Sequence, residues 1–217
     1  MKGRDLTERF LSGGAVWSGG FFRVHRDVVR LPDGRETVRE YVRHPGAVGM
    51  VALLPGNRVV LVRQHRYPLA RDFLEIPAGK LEPGEPHLET AKRELLEETG
   101  YAAADWKRLG VIHNAIGYSD ESIELWLAQG LEKRTQNLDD GEFLEVLELP
   151  FAEAEAMTRD GRITDVKTLI GLLWARTGGI RAGRPRRAPK ATPRSRAPTP
   201  RRRPGRKAAR YARRRGT

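Results

Sequence analysis

A run of carboxylates laid on a helix behind a glycine loop constrains this chain more than any other feature. From Gly79 the sequence reads GKLEPGEPHLETAKRELLEETGY, ending at Tyr101. Between Glu85 and Thr99 the spacing predicts a helix, with Leu88, Ala91, Leu95 and Leu96 on one apolar stripe at ~100° per residue and Gly100 where a helix commonly stops. Measured from Leu88, Ala91 falls at ~300°, Glu94 at ~240°, Glu98 at ~280° and Glu97 at ~180°. Glu94 and Glu98 are therefore neighbours at the border of the stripe, partly withdrawn from water. Like charges at i, i+4 cost a few tenths of a kcal/mol when exposed, roughly, and more at lower effective dielectric. A hard divalent cation offsets such repulsion, because carboxylate oxygens with water and phosphate oxygens are the usual ligands of Mg²⁺. Arg93, one turn before Glu97, can pair with it and hold it in orientation.

Around this segment the chain alternates strands and helices. FFRVHRDVVRL and ETVREYVRH flank the turn Pro32-Asp33-Gly34-Arg35, in which Pro presets φ and Gly supplies the left-handed position. A second hairpin, AVGMVALL and RVVLVRQ about Pro55-Gly56-Asn57, has little alternation and reads as strands buried on both faces. Further strands are expected around Leu109–Asn114, Ser122–Ala128 and Phe143–Leu149. Helical patterns return at Phe151–Arg159 and at Thr164–Arg176, with Thr164 able to cap. The pattern indicates an α/β sandwich with a mixed sheet.

Charge divides the chain. The 217 residues carry a formal net charge of +12, which taken alone suggests a nucleic-acid binder. Yet residues 181–217 hold 16 Lys and Arg and no acid, while residues 1–180 hold 24 basic and 28 acidic residues. The expected globular part is mildly acidic. The Pro/Arg-rich remainder, 178–217, cannot bury enough apolar surface to offset its conformational entropy and is expected to be disordered. Its charge suits loose, salt-sensitive contact with nucleic acid or another polyanion, although a functionless appendage is an equal alternative. With no Cys, disulfides, thiolate zinc sites and cysteine nucleophiles are excluded. The absence of a signal-peptide core and of a long apolar run leads to the expectation of a soluble, unprocessed, cytoplasmic protein with no membrane contact.

The pattern G-x5-E-x7-R-E-L-x-E-E-x-G, running from Gly79 to Gly100, resembles the signature of the Nudix hydrolases, with Tyr101 where an aliphatic residue is usual. REYVRHPGAV, VRQHRYP, FLEIPAGKLEPGE, GYSDESIELWLA and DDGEFLEV resemble the ADP-ribose pyrophosphatase branch across most of residues 17–176. The resemblance implies a Nudix-type α/β/α sandwich at 46–177, preceded by an antiparallel β segment at 1–45 that is exchanged in a homodimer. It also implies Mg²⁺-dependent cleavage of ADP-ribose to AMP and ribose 5-phosphate, with Mn²⁺ as an alternative metal.

Residue by residue, the resemblance implies that Glu94, Glu98, Glu142 and the Ala78 carbonyl ligate metal. It has Glu97 bridging metals or orienting them through Arg93. Asp140 stands where the branch often has a Glu acting as general base; Asp is one methylene shorter, and Glu121 is the second candidate. Arg39, Arg66 and Lys80 would hold phosphate or ribose, Glu40 would bind adenine or ribose, and Phe21 of the other subunit would stack on the base. Gly117 lies in the substrate loop, where its simplest role is to make a turn. Ile116 replaces the branch's usual Pro, which keeps GDP-sugars and dinucleotides open as substrates. A non-hydrolysing nucleotide- or RNA-binding module is the alternative from another class, and the intact carboxylates argue against it. The histidines, His25, His44, His65, His87 and His113, show no metal-binding spacing.

Overall fold

Strand β4, Ala47–Leu54, shows why the chain folds as layers. Val48, Met50 and Ala52 point into one apolar cluster, while Ala47 and Val51 point into another on the opposite face. A strand buried on both sides needs cover on both sides, which is the logic of a sandwich. The protein is described by a computed structural model over residues 3–178.

Ten strands and three α-helices are present among the described residues. The N-terminal sheet joins β1 (Arg9–Ser18), β2 (Arg23–Arg30) and β3 (Glu36–Arg43) in antiparallel order. The main sheet contains β4, β5 (Arg58–Arg66), β6 (Arg71–Glu75), β7 (Ala78–Lys80), β8 (Tyr101–Ile112), β9 (Ile123–Lys133) and β10 (Leu144–Pro150). Its order is β10-β5-β4-β9-β8, with β6 paired to β5 and β7 to β4. The β4/β9 pair is parallel and its other pairs are antiparallel, so the sheet is mixed, as expected.

Helix α1, His87–Thr99, covers one face. Its Ala91 and Leu95 are fully buried against Val48, Met50 and Val60. Helices α2 (Phe151–Asp160) and α3 (Val166–Thr177) cover the other face, around Leu61, Ile76, Leu125 and Leu172. α3 lies close to the sheet because Gly171 has no side chain: a Cβ there would stand 3.1 Å from Ile76 Cδ1 and 3.1 Å from Val51 Cγ2.

Several boundaries differ from expectation. α1 starts at His87, because Pro86 occupies the N-cap in extended conformation. Asp165, not Thr164, caps α3: its side chain accepts the Thr168 N–H. β1 was not anticipated; its Ser-Gly-Gly interior lacks a pattern, and the strand is defined by backbone pairing to β2 with two register shifts. Nor were the short β6 and β7. β8 begins at Tyr101, eight residues before the expected strand, since Ala-rich YAAAD carries no alternation. Phe21 sits in the β1–β2 connection and not in a strand. The tail from 179 onward, with the disorder and polyanion contact expected of it, lies outside the described residues. Among the described residues no helix is long and apolar enough to cross a membrane.

Leu95→Ala should lower unfolding free energy by about 2–5 kcal/mol, the range for truncating a fully buried Leu. Urea unfolding followed by tryptophan fluorescence measures this, and an unchanged midpoint would contradict the packing of α1 on β4.

Candidate active site

The short strand Ala78–Lys80 lines a cleft of about 650 Å³. Of the residues singled out from sequence, Phe21, Arg66, Ala78, Lys80, Glu94, Glu98, Glu121, Asp140 and Glu142 line it. His44, Asn114, Asp139, Asp165 and Lys167 line it as well and were not foreseen as site residues. They are far apart in sequence and carry no shared spacing, so only the fold reveals them.

α1 brings its carboxylates to the cleft as the wheel predicts. Glu98 is buried, and its Oε2 accepts the Ala78 N–H at 3.0 Å. Burial, followed by repulsion from Glu142 and Glu94, pushes the Glu98 carboxyl up to about 8 despite that hydrogen bond. Burial also raises Glu94, against the pull of Arg93. Gly79 makes room for it: a Cβ there would fall 1.9 Å from the Glu94 Cδ.

Arg93 joins the loop to the helix. Its Nε and Nη2 donate to Glu85 at 3.3 and 3.1 Å, and its Nη1 donates to Glu97 at 2.9 Å and lies 3.0 Å from Glu94 Oε1. Thr90 Oγ1 donates to Glu85 at 2.8 Å. Glu85 and Arg93, eight residues apart, thus clamp the glycine loop onto α1. Glu97 faces this guanidinium and does not line the cleft. Tyr101 follows, its ring in the α1 core and its hydroxyl donating to Glu148 Oε1 at 2.6 Å. A partner for the hydroxyl explains how a Tyr is accommodated at a position where an aliphatic residue is usual.

The donor set is hard oxygen throughout, buried at Glu98 and half-buried at Glu94 and Glu142, and unfavourable as bare charge, which fits a divalent cation. Among the described residues, no three acidic or histidine side chains already converge on one metal-sized point. Arg93 and the Ala78 N–H hold these oxygens instead.

Glu121 is held by the Asn114 amide, which donates to its Oε2 at 3.2 Å, and lies 3.7 Å from His44 Nδ1. That His44 nitrogen accepts the Gly46 N–H at 3.0 Å. Phe21 stands edge-on to His44 with centroids 5.4 Å apart, and Lys80 Nζ sits 4.8 Å from the Phe21 centroid. Phe21 therefore lies in the cleft of its own chain. Asp140 belongs to the turn leading to Glu142, whose N–H donates to the Asp139 carbonyl at 3.0 Å.

Arg39, Glu40 and Gly117 line a different cleft, of about 380 Å³, between the N-terminal sheet and the loop before β9. Arg39 is paired there with Glu8, at 2.5 Å. Ile116 is also on this wall, strongly exposed. Asp27 Oδ1, buried beside it, has no hydrogen-bond partner among the described residues. The loop is tied to β3 by Asp120, which accepts from Arg43 Nη1 at 2.7 Å and from the His44 N–H at 2.9 Å.

Residues 43–168 match the NUDIX domain family. A methanol dehydrogenase activator of Bacillus methanolicus is 41% identical over 174 residues, covering 79% of this chain and 94% of that protein. An ADP-ribose pyrophosphatase of Bacillus subtilis is 36% identical over 173 residues, covering 79% and 94%. The fold also resembles a crystal structure of an ADP compounds hydrolase, with a TM-score of 0.72 at 23% identity, covering 81% of this chain and 96% of that one.

Two outcomes follow from this geometry. Gly79→Ala should leave the protein folded but displace the Glu94 carboxylate, lowering turnover far more than unfolding temperature; a variant of full activity would show that Glu94 has no fixed place here. For Glu98, the ordinary value of 4.5 is raised to about 8 in the fold. Below the lower value both folded and unfolded chains hold the proton; between the two the native state alone retains it, and stability falls as pH rises. Metal-free protein should therefore lose thermal midpoint between pH 5 and 8, about the span of these two values. The midpoint gained on adding a divalent cation should grow over the same interval, with proton release on binding. A gain independent of pH in differential scanning calorimetry would refute this.

Proposed function

The chain belongs to the NUDIX family, and from that premise we propose that it hydrolyses the diphosphate bond of ADP-ribose or a related ADP-sugar, giving AMP and a sugar phosphate. The observation that carries this reading is the pair of carboxylates, buried Glu98 and half-buried Glu94, facing a cleft that also holds Arg66 and an aromatic wall at Phe21. The Bacillus subtilis relative, an ADP-ribose pyrophosphatase by name, supports it.

In this mechanism Glu94, Glu98, Glu142 and the Ala78 carbonyl would hold Mg²⁺, with Mn²⁺ as the alternative. The bound ion supplies neutralisation of phosphate charge and a lowered pKa for the attacking water. Glu97, fixed by Arg93, keeps the carboxylates of α1 oriented. Asp140 or Glu121 accepts the proton of the water as its oxygen adds to one phosphorus and the bridging P–O bond breaks. Arg66 and Lys80 hold the phosphates, and the base stacks on Phe21. Arg39, Glu40 and Gly117 serve the nucleoside end when a second copy brings its second cleft up to the first cleft of its partner. The exposed Phe10, Val16 and Trp17 of β1 support such a homodimer, since a sheet this open gains from cover. The cytoplasm is the compartment that suits a Cys-free chain acting on nucleotide sugars.

A phosphatase-coupled release assay with Mg²⁺ tests the reading across ADP-ribose, ADP-glucose, GDP-mannose, NADH and diadenosine polyphosphates. Fastest turnover is expected on ADP-ribose or ADP-glucose; folded, metal-loaded protein inert toward the whole panel would end the enzyme reading. Glu98→Gln should lose more than the ~10–100-fold that removal of an outer partner of a metal site costs, and full activity in that variant would remove the ligand assignment. Light scattering should give two copies per particle, and a monomer would refute the homodimer.

A further inference from the structure

The last turn of a helix leaves backbone carbonyls without a partner of their own. At the end of α1 the Gly100 N–H donates to the Leu96 carbonyl at 2.8 Å, and the next four carbonyls all turn to one segment, residues 133–137. The Lys133 ammonium donates to the Thr99 carbonyl at 3.2 Å, and the Arg134 N–H donates to the Gly100 carbonyl at 2.6 Å. The Gln136 side-chain amide donates to the Glu98 carbonyl at 2.5 Å, and the Asn137 N–H donates to the Glu97 carbonyl at 3.1 Å. We propose that Gln136 is a positioning residue for the hydrolysis, pinning the acidic loop that follows it to the helix turn that carries Glu97 and Glu98. The inference rests on the diphosphatase reading above.

The loop needs a pin because of what it carries. Residues 138–143 bring Asp139, Asp140 and Glu142 to the cleft that Glu94 and Glu98 already line. Like charges at this range repel. Burial and then repulsion from Glu142 raise the Glu98 carboxyl, so the charge of the loop is felt on the helix. Electrostatics alone therefore favours a loop swung away from α1. Its far end is fixed, since Leu144 pairs with Gln64 of β5 where β10 begins. Its near end is fixed on the helix, by Gln136 and Asn137.

The close approach of this segment to α1 is built into the backbone. Gly100 has a φ of +68°, and a Cβ there would stand 3.0 Å from the Arg134 carbonyl oxygen and 3.0 Å from the Gln136 nitrogen. A side chain at that position would hold the segment off. Between Asn137 and Leu144 lie six residues, with the Glu142 N–H turned back on the Asp139 carbonyl at 3.0 Å. A loop this short passes a displacement of its anchor on to its carboxylates. Misplacing a catalytic group by about 1 Å costs on the order of 10²-fold in rate.

The donors along the segment divide their roles. α1 has no basic residue in its own last turn, so Lys133 meets the negative end of the helix dipole from another element. Its Nζ also sits 4.1 Å from the Tyr101 ring centroid, which ties it to the helix end and not to the loop. Gln136 stands where the chain leaves α1 for the cleft. The Asn137 bond is made by the main chain and survives substitution, whereas the Gln136 bond is made by a side chain and can be removed alone. Gln136 is an exposed residue, so water can replace its amide at the Glu98 carbonyl and its loss costs the fold little.

Two variants of the full-length protein separate positioning from packing. Gln136→Met keeps the length of the side chain without a donor, and Gln136→Lys restores a donor of the charge that suits a helix C-terminus. In Gln136→Met, kcat on ADP-ribose with Mg²⁺ should fall ~10–100-fold, as for outer partners of metal-site residues, with KM changed far less and the thermal midpoint of metal-free protein kept. Hydrogen–deuterium exchange of that metal-free variant should be faster across residues 138–143 and unaltered across α1. Gln136→Lys should recover both kcat and exchange. A loss of kcat that tracks a lowered midpoint, or one that lysine does not recover, overturns the role. Wild-type protein that hydrolyses no diphosphate marks failure of the underlying reading; active wild type with kcat and loop exchange indifferent to Gln136 marks failure of the pin alone.

Discussion

Negative charge confined where water is scarce is the constraint that organises this molecule. Glu98 is almost wholly buried and Glu94 mostly so, within reach of Glu97 and Glu142. The surrounding architecture answers that difficulty piece by piece. Arg93 draws Glu94, Glu97 and Glu85 together, the Ala78 N–H takes one Glu98 oxygen, and the missing side chain of Gly79 leaves a place for Glu94. None of these removes the like-charge repulsion, and what remains of it is the kind of charge a hard cation offsets. The glycine loop and α1 are in this sense a single device, joined through the Glu85–Arg93 contact.

The opposite wall treats charge differently. Around Glu75 the signs balance: two carboxylates and two cations, each with a named partner. A balanced cluster is stiff, whereas the α1 cluster is frustrated and free to reorganise around an ion. The two walls of the cleft thus contrast in their electrostatics.

The sheet core and the α1 site were legible in the sequence because both have a period. Val48, Met50 and Ala52 alternate with Ala47 and Val51, and Leu88, Ala91 and Leu95 recur at helical spacing. The carboxylates of α1 share that period, so their adjacency follows from the helix itself. What stayed hidden was assembled by tertiary contacts between distant segments. Lys167 meets Glu75 across 92 positions, and Asn114 reaches Glu121 only once the loop before β9 has closed. β1 was hidden for another reason: its identity as a strand rests on hydrogen bonds to β2, while its side chains are almost all exposed. The separation of Arg39 and Glu40 from the main cleft was also out of reach, since strand position says nothing about which cavity a sheet will border.

Gly171 looks like a packing detail, deep between α3 and the sheet. It stands one helical turn after Lys167, on the same rigid rod. The depth at which α3 seats on Ile76 and Val51 consequently sets where Lys167 stands on the wall of the cleft. A single methyl added at this position would act as a shim, lifting the rod by a few tenths of an ångström and shifting that wall of the cleft from behind. The width of this cleft is thereby calibrated by a residue that does not line it.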